Sequence, residues 1–256
     1  VADSGHHDHD QALAAAFDGQ AARFERAPVQ TDPGALARLV RFADLPPNSL
    51  LLDAGCGPGL VSRAFLDAGH RVVGVDLSAE MIDRARLRCP DSQRATFIQG
   101  SIYGHEIAGE FDACVSRYVL HHVAEPLTFL ARQVELLRPG GIVVLNDHSA
   151  SADRDLAVWH NGIEVLRDRT HTANLSPGAI VDLFTSVGLE SIASIEERFT
   201  LDFDEWFDLG TPVASKAEVR ARIEVGPPSR GFMGRSTSDG RLEIDCWRLI
   251  VRGVKP

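Results

Sequence analysis

Between residues 48 and 148 the chain alternates between two hydrophobic rhythms. Short, nearly all-apolar runs rich in β-branched residues occur at Ser49–Asp53 (SLLLD), Arg71–Asp76 (RVVGVD), Ala95–Gln99 (ATFIQ), Phe111–Ser116 (FDACVS) and Ile142–Asp147 (IVVLND). Between several of them lie stretches with helical spacing, at 58–68, 79–88 and 124–137. Strands this apolar must be buried on both faces, so the alternation predicts a parallel sheet with helices packed on each side. Right-handed crossovers gather the C-terminal strand ends on one edge, and ligands bind there where the strand order reverses.

The flanks follow a different pattern. Residues 11–26 place Leu13, Phe17, Ala21 and Phe24 at helical spacing, and a second helix starts at Thr31-Asp32-Pro33 and carries Leu36, Leu39 and Val40. Beyond 148, a helix over 155–167 aligns Leu156, Trp159, Ile163 and Leu166, and Ser176-Pro177 caps another that Gly188 ends. Residues 189–198 and 242–251 read as the last two strands. The long segment between them, 199–240, has helical pieces near 203–209 and 214–224 and closes with a loop, Gly226–Gly240. The expected fold is therefore α/β: a Rossmann-like, seven-stranded, mostly parallel sheet with an α-helical cap. Its parts are an N-terminal helical cap (1–47), a ligand-binding core (48–198, with 148–175 as a helical insert over the pocket), a cap or lid insertion (199–240) and a final core strand (241–256). Phe203, Trp206, Phe207, Phe232 and Met233 would form either an apolar substrate lining or the core of that cap.

Candidate chemistry begins at Leu51-Leu52-Asp53-Ala54-Gly55-Cys56-Gly57-Pro58-Gly59-Leu60. Glycines let the backbone turn off a strand and approach a ligand, whose polar groups meet the free N–H groups of the next helix. NAD(P), FAD and S-adenosylmethionine (SAM) all use such loops. Here the spacing is GxGxG, and Leu60 occupies the sixth position of a dinucleotide loop. Asp53 would repel a pyrophosphate but suits an ammonium group. Asp76, ending the next strand, can accept from both hydroxyls of a ribose. SAM fits these features best.

With LLDAGCGPG (51–59), VVGVDLSAEMIDRAR (72–86), FDACVSRYVLHHV (111–123) and LRPGGIVVLND (137–147), the chain resembles class I SAM-dependent methyltransferases. Within that group it is similar to the small-molecule enzymes related to the ubiquinone/menaquinone C-methyltransferases. More loosely, 17–29 resembles a SAM-covering helix and 161–171 a post-sheet helix. The resemblance implies a cofactor set of Phe24, Asp53, Gly55, Cys56, Gly57, Gly59, Asp76, Leu77, Met81, Ser101, Ile102 and Arg117. Leu77 and Met81 correspond to the adenine cover. Ser101 stands where an aspartate usually meets the adenine amino group, and a serine hydroxyl accepts that bond without charge assistance. Phe24 replaces a frequent tyrosine.

Methyl transfer from a sulfonium mainly needs alignment and exclusion of water. A base helps when the acceptor is a hydroxyl or a protonated amine. The strand ends offer Arg117, Tyr118, His121 and His122, then Asp147 and His148. His121 and His122 are adjacent and must point in different directions, so at most one is expected to face the cleft. His122 and His148 are the candidate bases, with loop histidines bonded to backbone as the inert alternative. Tyr118 and Trp159 are candidate substrate contacts. His160, Glu164, Arg167 and His171, spaced by four, three and four, would form one stripe of a helix. That stripe is either a solvated charged face or a polar wall toward a small anionic or phenolic acceptor.

Composition narrows the partners. The formal charge of −10 without a Lys/Arg cluster argues against nucleic acid. Cys56, Cys89, Cys114 and Cys246 have no CxxC spacing and read as reduced thiols. No apolar run suits a bilayer, residues 1–10 do not resemble a signal peptide, and no metal ligand set is apparent; His6, His7 and His9 read as part of a frayed polar terminus. The expectation is a cytoplasmic SAM-dependent methyltransferase acting on a small molecule such as a quinone precursor or polyketide. A SAM-binding cyclase or isomerase on the same fold is the alternative, and a non-catalytic binding module or an NAD enzyme ranks below it.

Overall fold

The computed structural model describes residues 3–104 and 107–256, with side chains from residue 11 onward. Four helices precede the sheet: α1 (Asp3–Asp18), α2 (Ala21–Phe24), α3 (Pro28–Thr31) and α4 (Pro33–Ala43). The single helix expected over 11–26 is thus two. It breaks at Gly19-Gln20, where glycine carries the poorest helix propensity short of proline. The backbone at 3–10 is helical rather than frayed, while the side chains of His6, His7 and His9 fall outside the described residues. At α4, Asp32 caps the helix by accepting from the Gly34 amide at 2.8 Å, Pro33 occupies the first turn, and Ala35, Leu39 and Ala43 face inward.

The core follows as β1 (Leu50–Ala54), α5 (Leu60–Asp67), β2 (Arg71–Asp76), α6 (Ala79–Arg88), β3 (Ala95–Gln99), β4 (Phe111–Arg117), a 3-10 turn (Leu120–His122), α7 (Pro126–Glu135) and β5 (Leu137–His148). Then come α8 (Arg154–Arg167), α9 (Pro177–Ser186), β6 (Glu190–Asp202), α10 (Phe203–Asp208), α11 (Lys216–Glu224), β7 (Phe232–Ser236) and β8 (Leu242–Val254). The sheet runs β3-β2-β1-β4-β5-β8-β6, with β1 to β5 parallel and β8 antiparallel to both neighbours. Strand order reverses between β1 and β4, which fixes the ligand edge at their C-terminal ends.

Among the described residues the sheet has eight strands, not the expected seven. The extra one is β7, inside the segment 226–240 that reads as a loop in sequence. Arg248–Val254 of β8 pairs with β5, whereas Leu242–Cys246 pairs with β7. So β7 continues the lane of β5 past the ligand edge, and β6, β8 and β7 together form a wall standing above it.

One face of the sheet is packed by α7 and α9, through residues such as Phe129, Leu130, Ile180 and Phe184. The other is packed by α4, α5 and α6, through Leu39, Phe65 and Ile82. The cap has its own core, in which Phe203, Trp206, Phe207 and Phe232 meet Val219 and Ile223. Each large side chain buried this way contributes about 1.5–3 kcal/mol, so the wall is anchored to the sheet. Among the described residues no helix is long and apolar enough to cross a membrane.

Candidate functional site

A cavity opens at the strand-reversal edge, beneath α1 and α2. Gly55, Cys56, Gly57, Asp76, Leu77, Met81, Ser101, Ile102, Arg117, Tyr118 and His122 line it, and Phe24 closes it from α2. The chemistry is asymmetric: apolar Leu77, Met81 and Ile102 on one side, and backbone amides with a carboxylate at the loop.

The glycine loop explains this shape. The amides of Gly55 and Cys56 both donate to the Val75 carbonyl, at 2.9 and 3.0 Å, tying the loop to β2. Gly57 has φ +50°, and a Cβ there would meet nothing nearer than the Met81 Sδ at 4.0 Å, so its bare face turns to the cavity. Gly59 serves another purpose. Its φ is +78°, and a Cβ would lie 3.0 Å from the Ala85 Cα, so it lets α5 and α6 approach and is not among the cavity-lining residues. Asp76 accepts from the Gly57 amide at 2.8 Å and the Ser78 amide at 3.0 Å, one bond per carboxylate oxygen. Each oxygen retains acceptor capacity toward a ligand.

Asp53 stands behind the loop, fully buried and off the cavity wall. Its Oδ2 accepts from Ser62 Oγ at 2.6 Å and its Oδ1 has no partner. Burial pushes its carboxyl up to about 7. A buried, half-satisfied carboxyl beside the loop is the kind of group that a nearby cation would complete. Together with the bare face of Gly57 and the apolar cleft of Leu77, Met81 and Ile102, it makes the site fit SAM.

The clasp over the cavity is polar. Ser78 Oγ donates to Asp18 at 2.5 Å, and Glu25 binds both Arg84 and Arg88, at 2.5 and 2.8 Å. Arg117 donates to the carbonyls of Gln30 and Val29, at 3.0 and 2.9 Å, holding α3 against β4.

Next to the cavity lies a second, polar cluster. Tyr118 has φ +58°, a conformation rare for a bulky residue and found at functional sites. Its hydroxyl accepts from Arg248 at 2.8 Å and its ring lies 4.7 Å from that of His148. The 3-10 turn then presents both histidines. His122 faces the cavity, edge-on to Phe17 at 5.1 Å, with Nδ1 3.1 Å from the Thr170 carbonyl. The His121 ring lies 4.1 Å from it, tilted by 45°, and donates from Nδ1 to Asp147 Oδ1 at 2.6 Å. Asp147 also accepts from the amides of Leu120 and His148, each at 2.7 Å. A carboxylate on Nδ1 fixes the tautomer and leaves the lone pair on Nε2.

The electrostatics separate these histidines. Burial, aided by the neighbouring His121, pushes both His122 and His148 down to about 3. Burial also lowers His121, but the Asp147 carboxylate outweighs it and leaves His121 above the ordinary imidazole value. His171, pulled down to about 4 by burial, lies 5.8 Å from His121.

The stripe expected on one helix is not a stripe. α8 ends at Arg167, so His171 lies in the connection that follows, where its Nε2 meets Asn161 Oδ1 at 2.9 Å. Nor is this face solvated: His160 and Glu164 are 2% and 6% exposed. His160 stacks on Phe232 at 4.4 Å, and Trp159 packs in the cap core. Arg167 gives two bonds to the Trp206 carbonyl, at 2.9 and 2.8 Å, and so ties α8 to α10. His148, Trp159, His160, Glu164, Arg167 and His171 all lie off the lining of the cavity. Sequence reasoning passed over the His121–Asp147 pair, because nothing local joins residues 26 positions apart. Among the described residues no three His, Cys, Asp or Glu side chains converge to hold a metal.

Comparison with known proteins agrees with this geometry. Residues 52–145 match the methyltransferase domain family. The chain is 32% identical over 158 residues to a ubiquinone biosynthesis O-methyltransferase of Cereibacter sphaeroides, covering 59% of this chain and 64% of that protein. It is also 32% identical over 148 residues to the malonyl-[acyl-carrier protein] O-methyltransferase of Serratia marcescens, covering 57% and 56%. The chain thus spans less than two thirds of the length of these curated relatives. In fold it resembles the YcgJ protein of Bacillus subtilis, with TM-score 0.77 and 21% identity over 87% of this chain and 98% of that one. It also resembles phosphoethanolamine N-methyltransferase 2 of Haemonchus contortus, solved with S-adenosyl-L-methionine, with TM-score 0.58 and 18% identity over 87% and 52%. Residues 52–145 of this chain thus carry a methyltransferase domain.

Proposed function

We propose that the protein transfers a methyl group from SAM to a hydroxyl of a small organic acceptor, with the His121–Asp147 pair as general base. The observation that carries this is that pair: an imidazole with a carboxylate on Nδ1, its ring 4.1 Å from that of a histidine that lines the cavity.

SAM, when bound, supplies an electrophilic methyl group on a sulfonium. Gly55 and Gly57 would admit its backbone-facing part, Asp76 would accept from its ribose, and Leu77, Met81 and Ile102 would enclose its adenine with Ser101 at the amino edge. Phe24 and Phe17 exclude water from above. Arg117 keeps α3 in place over the cavity. His121 Nε2 takes the hydroxyl proton, and Asp147 stabilises the imidazolium that results. Base assistance of this kind contributes about 10²–10⁴-fold. His122 and His148, with their basicity suppressed, serve as neutral hydrogen-bonding walls. The O-methyltransferase relatives support oxygen over carbon or nitrogen as the acceptor atom, and quinone precursors and polyketides remain the acceptor classes we favour. Cytoplasmic location and lack of nucleic-acid binding belong to the same proposal and rest on the composition.

Calorimetry with SAM and with NAD, followed by transfer of labelled methyl to a panel of phenols, tests the reading. SAM binding with labelled ether product is expected. Binding of NAD in preference to SAM, or product made equally well by a His121→Phe variant, would refute it. Turnover that persists with S-adenosylhomocysteine in place of SAM would favour a cyclase or isomerase instead.

A further inference from the structure

At the C-terminal end of β4 the cavity is lined by two neighbouring side chains that each hold a donor without an acceptor. Arg117 and Tyr118 are 7% and 8% exposed, and both belong to the lining. Arg117 gives Nη1 to the backbone and side-chain oxygens of Gln30, at 3.0 and 3.4 Å, and Nη2 to the Val29 carbonyl at 2.9 Å. All three acceptors are neutral, and the buried Nε has none. The phenol oxygen of Tyr118 accepts from Arg248 at 2.8 Å, and among the described residues nothing accepts its own hydrogen. The Arg117 guanidinium lies 4.3 Å from the centre of the Tyr118 ring, so both donors occupy one corner of the cavity.

Among the described residues Arg117 also has no carboxylate partner: Glu197 serves Arg248, at 2.7 Å, and Arg38, while Asp147 is held by His121. A buried cation without a counter-ion is costly, and a guanidinium cannot escape by giving up its proton. Tyr118 is held here in the left-handed conformation, φ +58°, that persists only where its surroundings over-determine it. Those surroundings belong to the wall. Arg248 is on β8 and Glu197 on β6, and Arg117 is in register with Asn146 of β5. The glycine loop and Asp53 follow β1, on the other side of β4, so the corner faces the acceptor's part of the site. The empty volume of the cavity, mouth included, is about 1320 Å³. A pocket for one small ligand takes ~300–1,000 Å³, so an acceptor has room beside the cofactor.

We propose that Arg117 and Tyr118 form a carboxylate site for the methyl acceptor, which makes that acceptor a hydroxy acid. One carboxylate oxygen accepts from Arg117 Nε and the other from the Tyr118 hydroxyl, which Arg248 polarises from behind. The proposal rests on the methyltransferase reading above and names its substrate class. It keeps the anionic acceptor expected from the sequence and moves its contact from the α8 stripe to the end of β4. The methionine end of SAM carries a carboxylate too, and the test separates the two sources.

The test uses the whole chain with S-adenosylhomocysteine bound, titrated by calorimetry with 4-hydroxybenzoate, 3-(4-hydroxyphenyl)propanoate and the methyl ester of each. The better-fitting acid should bind at least about tenfold more tightly than its ester, a gap of ~1.4 kcal/mol. Arg117→Gln and Tyr118→Phe should each narrow that ratio to a few-fold, and Arg117→Lys, which keeps the charge, should retain more of it than Arg117→Gln. Residues that merely brace α3 and the wall would lower thermal stability and weaken acid and ester alike. To separate the sources, S-adenosylhomocysteine and 5′-methylthioadenosine, which lacks the amino-acid end, are titrated into the native protein and Arg117→Gln. Their affinity ratio should be the same in both proteins. A ratio that collapses in Arg117→Gln assigns the site to the cofactor's carboxylate and overturns the proposal. Esters that bind the native protein as tightly as the acids, an unchanged acid preference in the variants, or no binding of any probe at millimolar concentration would overturn it too. If Arg117→Gln does not fold, Tyr118→Phe, which leaves the ring in place, decides. Failure of the native protein to bind S-adenosylhomocysteine would instead sink the methyltransferase reading itself, so the two failures are distinct.

Discussion

Replacing Asp147 by asparagine removes the charge behind His121 while keeping a side chain of the same shape. The hydrogen bond at stake is 2.6 Å long and joins an imidazole to a buried carboxylate. Bonds to charged groups contribute about 1.5–3 kcal/mol, so loss of the carboxylate should lower the imidazole. Burial, together with Arg167, then acts on His121 against only the more distant Glu164, and the ring should titrate below the ordinary 6.5 instead of above it. The assay is a histidine-resolved NMR titration of the native and Asp147→Asn proteins, with His121→Phe assigning the signal. The sign extends to stability. A raised imidazole stabilises the fold below 6.5 and loses that contribution as pH rises through its folded value. Asp147, lowered from 3.8, contributes above that value and fades as pH falls through its own folded value. The pair is therefore worth most between these two limits, and Asp147→Asn should cost most stability near pH 5–6. A His121 midpoint that does not move in Asp147→Asn, or one already below 6.5 in the native protein, would refute the reasoning.

Asp53 gives a prediction of opposite slope. Its carboxyl is raised from 3.8 to about 7, so its contribution is full below 3.8 and is lost as pH rises through 7. At 1.36 kcal/mol per unit this amounts to about 4 kcal/mol at most; urea unfolding between pH 5 and 8 should fall less steeply in Asp53→Asn, and parallel slopes would contradict it. The loop glycines should part company. Gly57→Ala places its methyl toward the cavity and should weaken SAM binding, with about 1–2 kcal/mol of backbone strain. Gly59→Ala drives its methyl into α6, and should lower the unfolding midpoint more than Gly57→Ala does while acting less on SAM affinity. Calorimetry and thermal unfolding of both variants check this, and the reverse order would show that the two roles are misassigned.

The nucleotide half of the molecule was legible because its signals are local. β2 and β3 coincide with the runs at 71–76 and 95–99, and α6 with 79–88, since each apolar run is bounded by a glycine or a capping residue. β5 is longer than IVVLND suggests. Leu137 pairs with Phe111 ahead of Pro139 and two glycines, and only the neighbouring strand makes that stretch extended. β7 was invisible for a related reason: FMGRS has no alternating pattern, and its order comes from β8 and from α11, whose Ile223 lies so near Gly234 that a Cβ there would meet it at 2.5 Å. The polar cluster joins residues 121, 147, 164 and 171 across four segments. Sequence could name its members individually but not their pairing, which is why it points to His122 and His148 as candidate bases and not to His121.

The overlong β8 has a mechanical consequence. Its lower half is a rung of the nucleotide-binding sheet and its upper half a rung of the cap, with no break in the ladder between Glu243 and Arg252 on the β6 side. The cap is thus a cantilever cast in one piece with its foundation, and it cannot swing as a door. Ligand traffic is left to the side of α1 and α2, pinned by a hydrogen bond at Asp18 and exchangeable ion pairs at Glu25. Raised salt should therefore speed cofactor release while leaving the geometry around His121 and Glu164 in place.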